Sequence, residues 1–397
     1  LITATAWLLK NLASWGRSRQ STNTSYRAIP LYIQVQTLHP LDYAILVWLG
    51  LGALSLLWTQ YDTPTLTELR QLLLEPGLFY LILRTQPASI TMLRRLIYAL
   101  LSAATLVAVI GLFLYLRCEV FQVCQAIIEA EAGTRRLASV YGSPNNVALF
   151  LGRCIPFALA FMLIIKDNRL VRVASGISLI LMLLAVLFTQ SAGAYLLGLP
   201  VAVIVVVALV YRRRAYLPLA GIIAAGVMFI LLLTRISARF ASLLDFTTGT
   251  NFFRLRVWES ALNIIKDYPV TGIGFDQFLY AFRGHYIRPD AIEDRNLSHP
   301  HNILLDFWIR QGIAGVIVLL VIQYFFWREL WRTYQAVQDK PLMLVLCIGT
   351  MGSMANLIAH GLVDNSVFVF DLAYVFVLLI GIAVHLTNMR FIDETPD

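Results

Sequence analysis

The chain has 397 residues, of which 59% are hydrophobic and 14% charged, with a formal net charge of +8. A soluble globular domain carries about 25% charged residues, so that class is excluded, and several long apolar runs mark an all-α polytopic membrane protein. The basic residues gather in short loops between those runs, as they do on the cytoplasmic side of membrane proteins, which argues against nucleic acid as a partner.

The first stretch, LITATAWLLK, is too short to span a bilayer and too apolar for an ordinary tail. Residues 1–42 therefore read as the end of a truncated span plus a cytoplasmic linker, and residues 43–397 as a single membrane domain. Spans are predicted at about 43–58, 70–84, 96–116, 146–165, 172–189, 192–211, 215–234, 302–327, 342–360 and 366–386, ten helices by length. The second is the most charged, with Glu68, Arg70 and Glu75 crowding its start.

Arg84, Arg94 and Arg95 mark one loop, and Lys166, Arg169 and Arg172 the next. Arg212, Arg213 and Arg214 mark a third, and Arg328, Arg332 and Lys340 a fourth. All four fall on one side if every span is real, which makes that side cytoplasmic. Segments 117–145 and 235–301 then lie outside, the second as an elaborated outer loop with short helices. Cys118 and Cys124 share the first of these, where a local disulfide is chemically permitted. Cys154 and Cys347 sit in apolar spans and read as packing residues.

Within the outer loop, FRLRVWESALNIIKDYP (253–269) has helical spacing, with Trp258, Leu262 and Ile265 forming an apolar stripe and Arg254, Glu259, Asn263 and Lys266 on other faces. Such a helix lies flat on the bilayer, apolar side down, or packs inside the loop. Gly272-Ile273-Gly274 reads as a turn, since no parallel-sheet pattern surrounds it.

Three stretches put polar chemistry on the outer side. RRLASVYGSPNNVALF (135–150) sets arginines and a Pro-Asn turn before a span, RLRVW (254–258) sits on the loop helix, and SHPHN (298–302) opens the eighth span. Pro300 suits a first helical turn and Ser298 can cap it, which places His301 inside that turn, where free N–H groups favour an anion. Two arginines beside a helix N-terminus suit a phosphate or diphosphate. A neutral imidazole next to them accepts a proton from a hydroxyl. Together they suit transfer from a membrane-anchored diphosphate to an alcohol, the diphosphate leaving under fixed positive charge.

These stretches resemble the bacterial O-antigen ligase and polymerase superfamily. That family carries a histidine followed by Asn, Ser or Gln, then nine residues and Gly-x-x-Gly; here His301-Asn302 precedes Gly312-Ile313-Ala314-Gly315 by that spacing. RLASVYGSPN resembles its Arg-led Pro-Asn stretch and points to Arg136; RLRVWESAL…YPVTGIG resembles its Arg-Leu-x-x-Trp helix and following turn and points to Arg254. HGLVD (360–364) resembles a further outer-loop element. The likeness covers roughly residues 136–375, and it departs before Gly-x-x-Gly, where the family often has an acidic residue and this chain has Arg310 and Gln311.

The resemblance implies a metal-independent, inverting glycosyltransferase without cofactor, in the bacterial inner membrane with its site facing outward. It implies an undecaprenyl-diphosphate-linked glycan as donor and a lipid or glycan acceptor, with membrane lipids around it. His301 is the expected base, and Arg136 and Arg254 the diphosphate ligands. Arg135 and Arg256 are neighbours able to exchange roles with them; Asn302, His299, Asn145 and Asp364 are further candidates.

Alternatives stand beside each assignment. Boundary arginines also anchor lipid headgroups. A metal bound by the two loop histidines would need further ligands, such as His285, Asp290 and Glu293. His360 and Asp364, four apart, suit a local pair, as do Asp306 and Arg310. Arg153 lies inside a span and is expected to face the bundle, where Asp306 is a possible partner. A repeat-unit polymerase shares the ligase's chemistry, and a solute transporter would instead concentrate its polar groups near the bilayer midplane.

Overall fold

Pro40 takes the first helical position of α1 (Pro40–Leu54), and His39 and Asp42 close a reciprocal capping box there. The computed structural model describes residues 38–121, 127–129, 135–236, 247, 249–294 and 296–390. After α1 the chain turns back as α2 (Asp62–Leu69), runs through a π-helical stretch (Arg70–Leu74) and continues as α3 (Glu75–Arg84). This arm lies antiparallel to α1. Arg84 at its end grips Asp42 through Nε and Nη2 at 2.7 and 2.8 Å, and Gly52 and Gly77 admit Leu73 and Leu49 of the opposite helix.

Next come α4 (Ile90–Phe121), a short antiparallel pair β1 (Ile127–Glu129) and β2 (Arg135–Leu137), α5 (Pro144–Ile164) and α6 (Arg169–Thr189). A π-helical turn (Ala194–Gly198) leads into α7 (Leu199–Tyr211), then α8 (Tyr216–Ile236). The loop region holds α9 (Gly249–Asp267) and α10 (Phe278–Ala281). Three long helices finish the chain: α11 (Ile303–Ala336), α12 (Pro341–Gly361) and α13 (Phe370–Met389).

Nine helices among the described residues are long and apolar enough to cross a membrane, so the chain is a multi-pass membrane protein of the all-α class. The predicted span at 70–84 is not among the nine. It belongs to the longer α2–α3 arm, whose charges are held by partners: Glu68 contacts Arg310, and Arg84 contacts Asp42. The disulfide permitted between Cys118 and Cys124 falls outside the described side chains, whereas Cys154 and Cys347 are buried packing residues, unpaired among the described residues.

The bundle is built around α5, α12 and α13, whose apolar windows are 78%, 83% and 83% buried, while that of α8 is 0% buried and lies at the periphery. Small residues allow the central contact: Gly349 of α12 abuts Phe157, Gly352 abuts Pro156, and Gly152 of α5 abuts Asn356. Close backbone approach of this kind is how helices associate where lipid offers no hydrophobic driving force. Arg153, expected near Asp306, instead donates to the carbonyls of Leu372 and Ser366, so its charge is met by backbone dipoles.

The loop helix α9 packs rather than floats. Its buried stripe is Val257, Ala261, Ile264 and Ile265, set against Phe278, Phe282 and Ile309 of α11. Leu262 is exposed, so the predicted Trp258–Leu262–Ile265 face is rotated from the true one. The spacing was helical on both stripes, and tertiary contact with α11 chose between them.

Candidate active site

His301 stands just before α11 in a left-handed backbone conformation, φ 50°. A residue in that conformation cannot sit inside a right-handed helix, so the predicted placement in the first turn is corrected. The cap is Asn302, not Ser298: the side-chain Oδ1 of Asn302 accepts from the Leu304 and Leu305 N–H groups at 3.0 and 3.2 Å. Those two N–H groups are therefore already satisfied, which weakens the expected anion pocket at this helix end. The Asn302 amide also donates to the Leu362 carbonyl at 2.9 Å, tying α11 to the link that follows α12.

That link presents Asp364. Its Oδ1 lies 2.9 Å from His301 Nδ1 and also accepts from the Asn365 N–H at 2.9 Å. Burial opposes ionisation of Asp364, but the His301 hydrogen bond and the charges of His301, His360 and Arg254 outweigh it and hold the carboxyl well below its usual range. An ionised carboxylate only accepts, so His301 Nδ1 carries the proton and, in the neutral ring, Nε2 keeps its lone pair. The predicted His360–Asp364 pair is corrected. Asp364 lies beyond the end of α12, and both His360 ring nitrogens are buried without a hydrogen-bond partner, against Gly193 and Gly198.

Arg254 projects from α9 and brings Nη2 to 4.0 Å from Asp364 Oδ2, with its side chain 14% exposed. Its helix is held by a backbone exchange. At Gly312, φ 67° and ψ −166°, α11 breaks, and the helical bond from Ile313 N–H to Ile309 C=O is replaced. Ile309 C=O accepts from Ile273 N–H at 2.7 Å, and Ile313 N–H donates to Pro269 C=O at 3.2 Å. The indole of Trp308 also donates to Pro269 C=O at 2.8 Å. A Cβ on Gly312 would lie 1.7 Å from the Val270 carbonyl oxygen, and one on Gly272 would lie 2.3 Å from that of Ile309. Both glycines are thus required for chain approach and for positive φ.

Arg136 is 9% exposed and makes its contacts with other residues than His301, Asp364 and Arg254. Its Nε donates to the Thr189 carbonyl at 2.8 Å and its Nη2 to Asn145 Oδ1 at 2.9 Å. Thr189 ends α6, where the helix dipole favours a cation. Asn145 therefore orients Arg136. From Thr189 the chain runs on to Gly193, which packs on His360, four residues before Asp364.

The remaining candidates separate clearly. Arg256 is engaged differently from Arg254: it is paired with Glu259 at 2.9 Å and Asp290 at 2.8 Å, and its guanidinium lies 5.0 Å over Phe252. The Arg135 carbonyl accepts from Gln190 at 3.0 Å. The His299 ring meets that of His301 edge-on, centroids 4.3 Å apart, and its Nδ1 lies 3.0 Å from Ser298 Oγ. Burial, then the neighbouring His301, pushes the His299 pKa down to about 3, so it stays neutral. Of the further ligands named for a metal, Asp290 is paired with Arg256, and the Glu293 side chain lies outside the described ones. Among the described residues the donors that gather are His299, His301 and Asp364, within 4.8 Å of one another.

Sequence reasoning missed one cluster beside the site. Arg310 donates Nε to Asp306 at 2.8 Å, the expected pair, but its Nη1 also contacts Glu68 of the α2 arm. Its guanidinium lies 4.7 Å over Phe368. The charges crowding Glu68 in an otherwise apolar arm were the available signal.

A protein-family profile described as O-antigen ligase matches residues 177–320 of this chain. The exopolysaccharide production protein ExoQ of Rhizobium meliloti (strain 1021) is 22% identical over 234 residues, covering 55% of this chain and 52% of the relative. The chain thus spans about half the length of the curated relative it matches.

Proposed function

We propose that this O-antigen ligase-like or polymerase-like membrane enzyme transfers a glycan from an undecaprenyl-diphosphate carrier to an acceptor hydroxyl, at the outward face of the bacterial cytoplasmic membrane. The observation that carries this reading is the His301 Nδ1–Asp364 contact at 2.9 Å, with Arg254 at 4.0 Å from the same carboxylate. Asp364 fixes the tautomer, so His301 Nε2 takes the proton of the acceptor hydroxyl. The freed oxygen attacks the anomeric carbon from the face opposite the diphosphate, the glycosidic C–O bond to phosphate breaks, and configuration inverts. Arg254 and Arg136 hold the departing diphosphate, whose charge grows as the bond opens. No metal enters this scheme; its positive charge comes from the two arginines.

Two readings of the acceptor follow from the same base. Ligation delivers the glycan to a finished lipid or glycan acceptor. Polymerisation delivers it to a second carrier-linked unit, and the relative's name, an exopolysaccharide production protein, supports that version. Transport has less support: Arg153 and Asp306, the charges within the spans that favoured it, are answered by backbone carbonyls and by Arg310.

The decisive experiment is transfer by the purified protein, with diphosphate-linked glycan as donor and either a lipid acceptor or a second carrier-linked unit. Wild type is expected to release diphosphate-linked carrier with EDTA present, and His301→Ala to lose turnover by roughly 100-fold or more. Unchanged turnover in His301→Ala removes the base, and EDTA inhibition restored by zinc transfers the role to a metal held by His299, His301 and Asp364.

A further inference from the structure

The broken helix α11 does more than bend. Ile309 C=O and Ile313 N–H are the natural partners of an unbroken helix, yet each bonds the turn at 269–273 instead. That turn directly follows α9, which carries Arg254, while α11 begins beside His301. We propose that Gly312 and Gly272 are positioning residues: the turn seated in the break of α11 fixes Arg254 at its distance from the His301–Asp364 pair. This rests on the reading of the site given above and extends it to residues that touch no substrate.

The argument is geometric. Arg254 and His301 are 47 positions apart in the chain, with the rest of α9, the short helix α10 and their connections between them. Their relative placement needs a rigid join between α9 and α11, and three backbone-anchored bonds supply it at 2.7, 3.2 and 2.8 Å. Apolar packing of Val257, Ala261 and Ile264 against Ile309 presses the two helices together but leaves sliding open. Directional bonds into a helix break remove that freedom. Gly312 combines φ 67° with ψ −166°, a region open essentially to glycine alone. An alanine there favours helical angles, which re-forms the bond between Ile313 and Ile309 and expels the turn.

The test has a mechanical arm and a kinetic arm. With the four native cysteines replaced, nitroxide labels at Asn263→Cys and Ile317→Cys report the spacing of α9 and α11 by pulsed electron resonance. Gly312→Ala is expected to shift or broaden that distance distribution. It is also expected to lower turnover by tenfold to about 100-fold, no more than Arg254→Ala itself, the scale of an ångström-level misplacement. Arg254→Ala added to Gly312→Ala should cost nothing further, whereas His301→Ala added to it should still cost its full factor.

Trp308→Phe, which removes a single bond to Pro269, gives the same pattern more weakly and carries the test if Gly312→Ala does not fold. An unchanged label distance, or an Arg254→Ala loss that multiplies in full on either background, overturns the proposal. A wild-type protein without transfer activity removes the functional reading alone; the label distances then still decide whether the turn sets α9.

Discussion

Two clusters of charge flank Asn302 and are built in opposite ways. On one side Arg310 is 3% exposed and held by two carboxylates, Asp306 at 2.8 Å and Glu68 in contact, with Phe368 beneath it. On the other, Asp364 is bonded to His301 at 2.9 Å but leaves Arg254 at 4.0 Å, beyond hydrogen-bond reach. In the first cluster the arginine is committed to carboxylates of its own protein. The second holds an arginine close to an anion without consuming it, and a histidine with one nitrogen committed and the other uncommitted by that bond. Both clusters lie beside α11; what separates them is whether the arginine is in hydrogen-bond contact with its carboxylate.

Breaking the open cluster at its carboxylate should have the largest effect. Asp364→Asn removes the acceptor that fixes the His301 tautomer, and turnover is expected to fall by about 100-fold, close to the loss in His301→Ala. The folded protein should survive in normal amount, measured by thermal melting in detergent. An Asp364→Asn variant with wild-type turnover would show that His301 does not depend on this carboxylate.

Breaking the closed cluster should do the reverse. Arg310→Ala strands Asp306 and Glu68 in a low-dielectric interior, and losing one member of a buried ionic group costs about 3–5 kcal/mol. The expected result is a much lower melting temperature and reduced yield, with turnover per folded molecule near wild type. If instead the melting temperature holds and turnover collapses, Arg310 belongs to the site and the contrast between the clusters fails.

How much of this contrast was visible in the sequence depends on distance along the chain. Asp306 and Arg310 are four apart, so their pair was legible from helical spacing. Glu68 is 242 positions from Arg310, and no local pattern connects them. Asp364 sat four residues from His360, and helical spacing suggested that pair; the helix ends at Gly361, and Asp364 turns to His301 across 63 positions. The membrane helices were readable because lipid demands long apolar runs. The α2–α3 arm was the exception, because partners inside the bundle hold its charges. The Gly-x-x-Gly spacing marked Gly312, but nothing local to it signals that another chain segment enters the helix there.

Substituting the open arginine should give an intermediate effect. Arg254→Ala removes charge-assisted contacts worth about 1.5–3 kcal/mol, so turnover is expected to drop tenfold to about 100-fold. Arg254→Lys keeps the charge but lacks the planar fork, and should recover only part of that loss if the contact to diphosphate is bidentate. Full recovery by lysine would reduce the role of Arg254 to a point charge, measured as KM for the diphosphate-linked donor.

The smallest effect is expected at Arg256, two positions from Arg254 and identical to it in residue type. Its guanidinium is held by Glu259 at 2.9 Å and Asp290 at 2.8 Å while resting over Phe252, and its side chain is 27% exposed. To meet a diphosphate it would have to abandon two carboxylates, and those carboxylates would repel the incoming anion. Partly exposed pairs of this kind contribute about 0.2–1 kcal/mol, so Arg256→Ala should shift melting slightly and leave turnover within about twofold of wild type. Equal losses in Arg256→Ala and Arg254→Ala would mean that saturation by carboxylates does not decide which arginine binds. The 4.0 Å gap at Arg254 would then be an accident of packing, and the division between open and closed clusters would lose its basis.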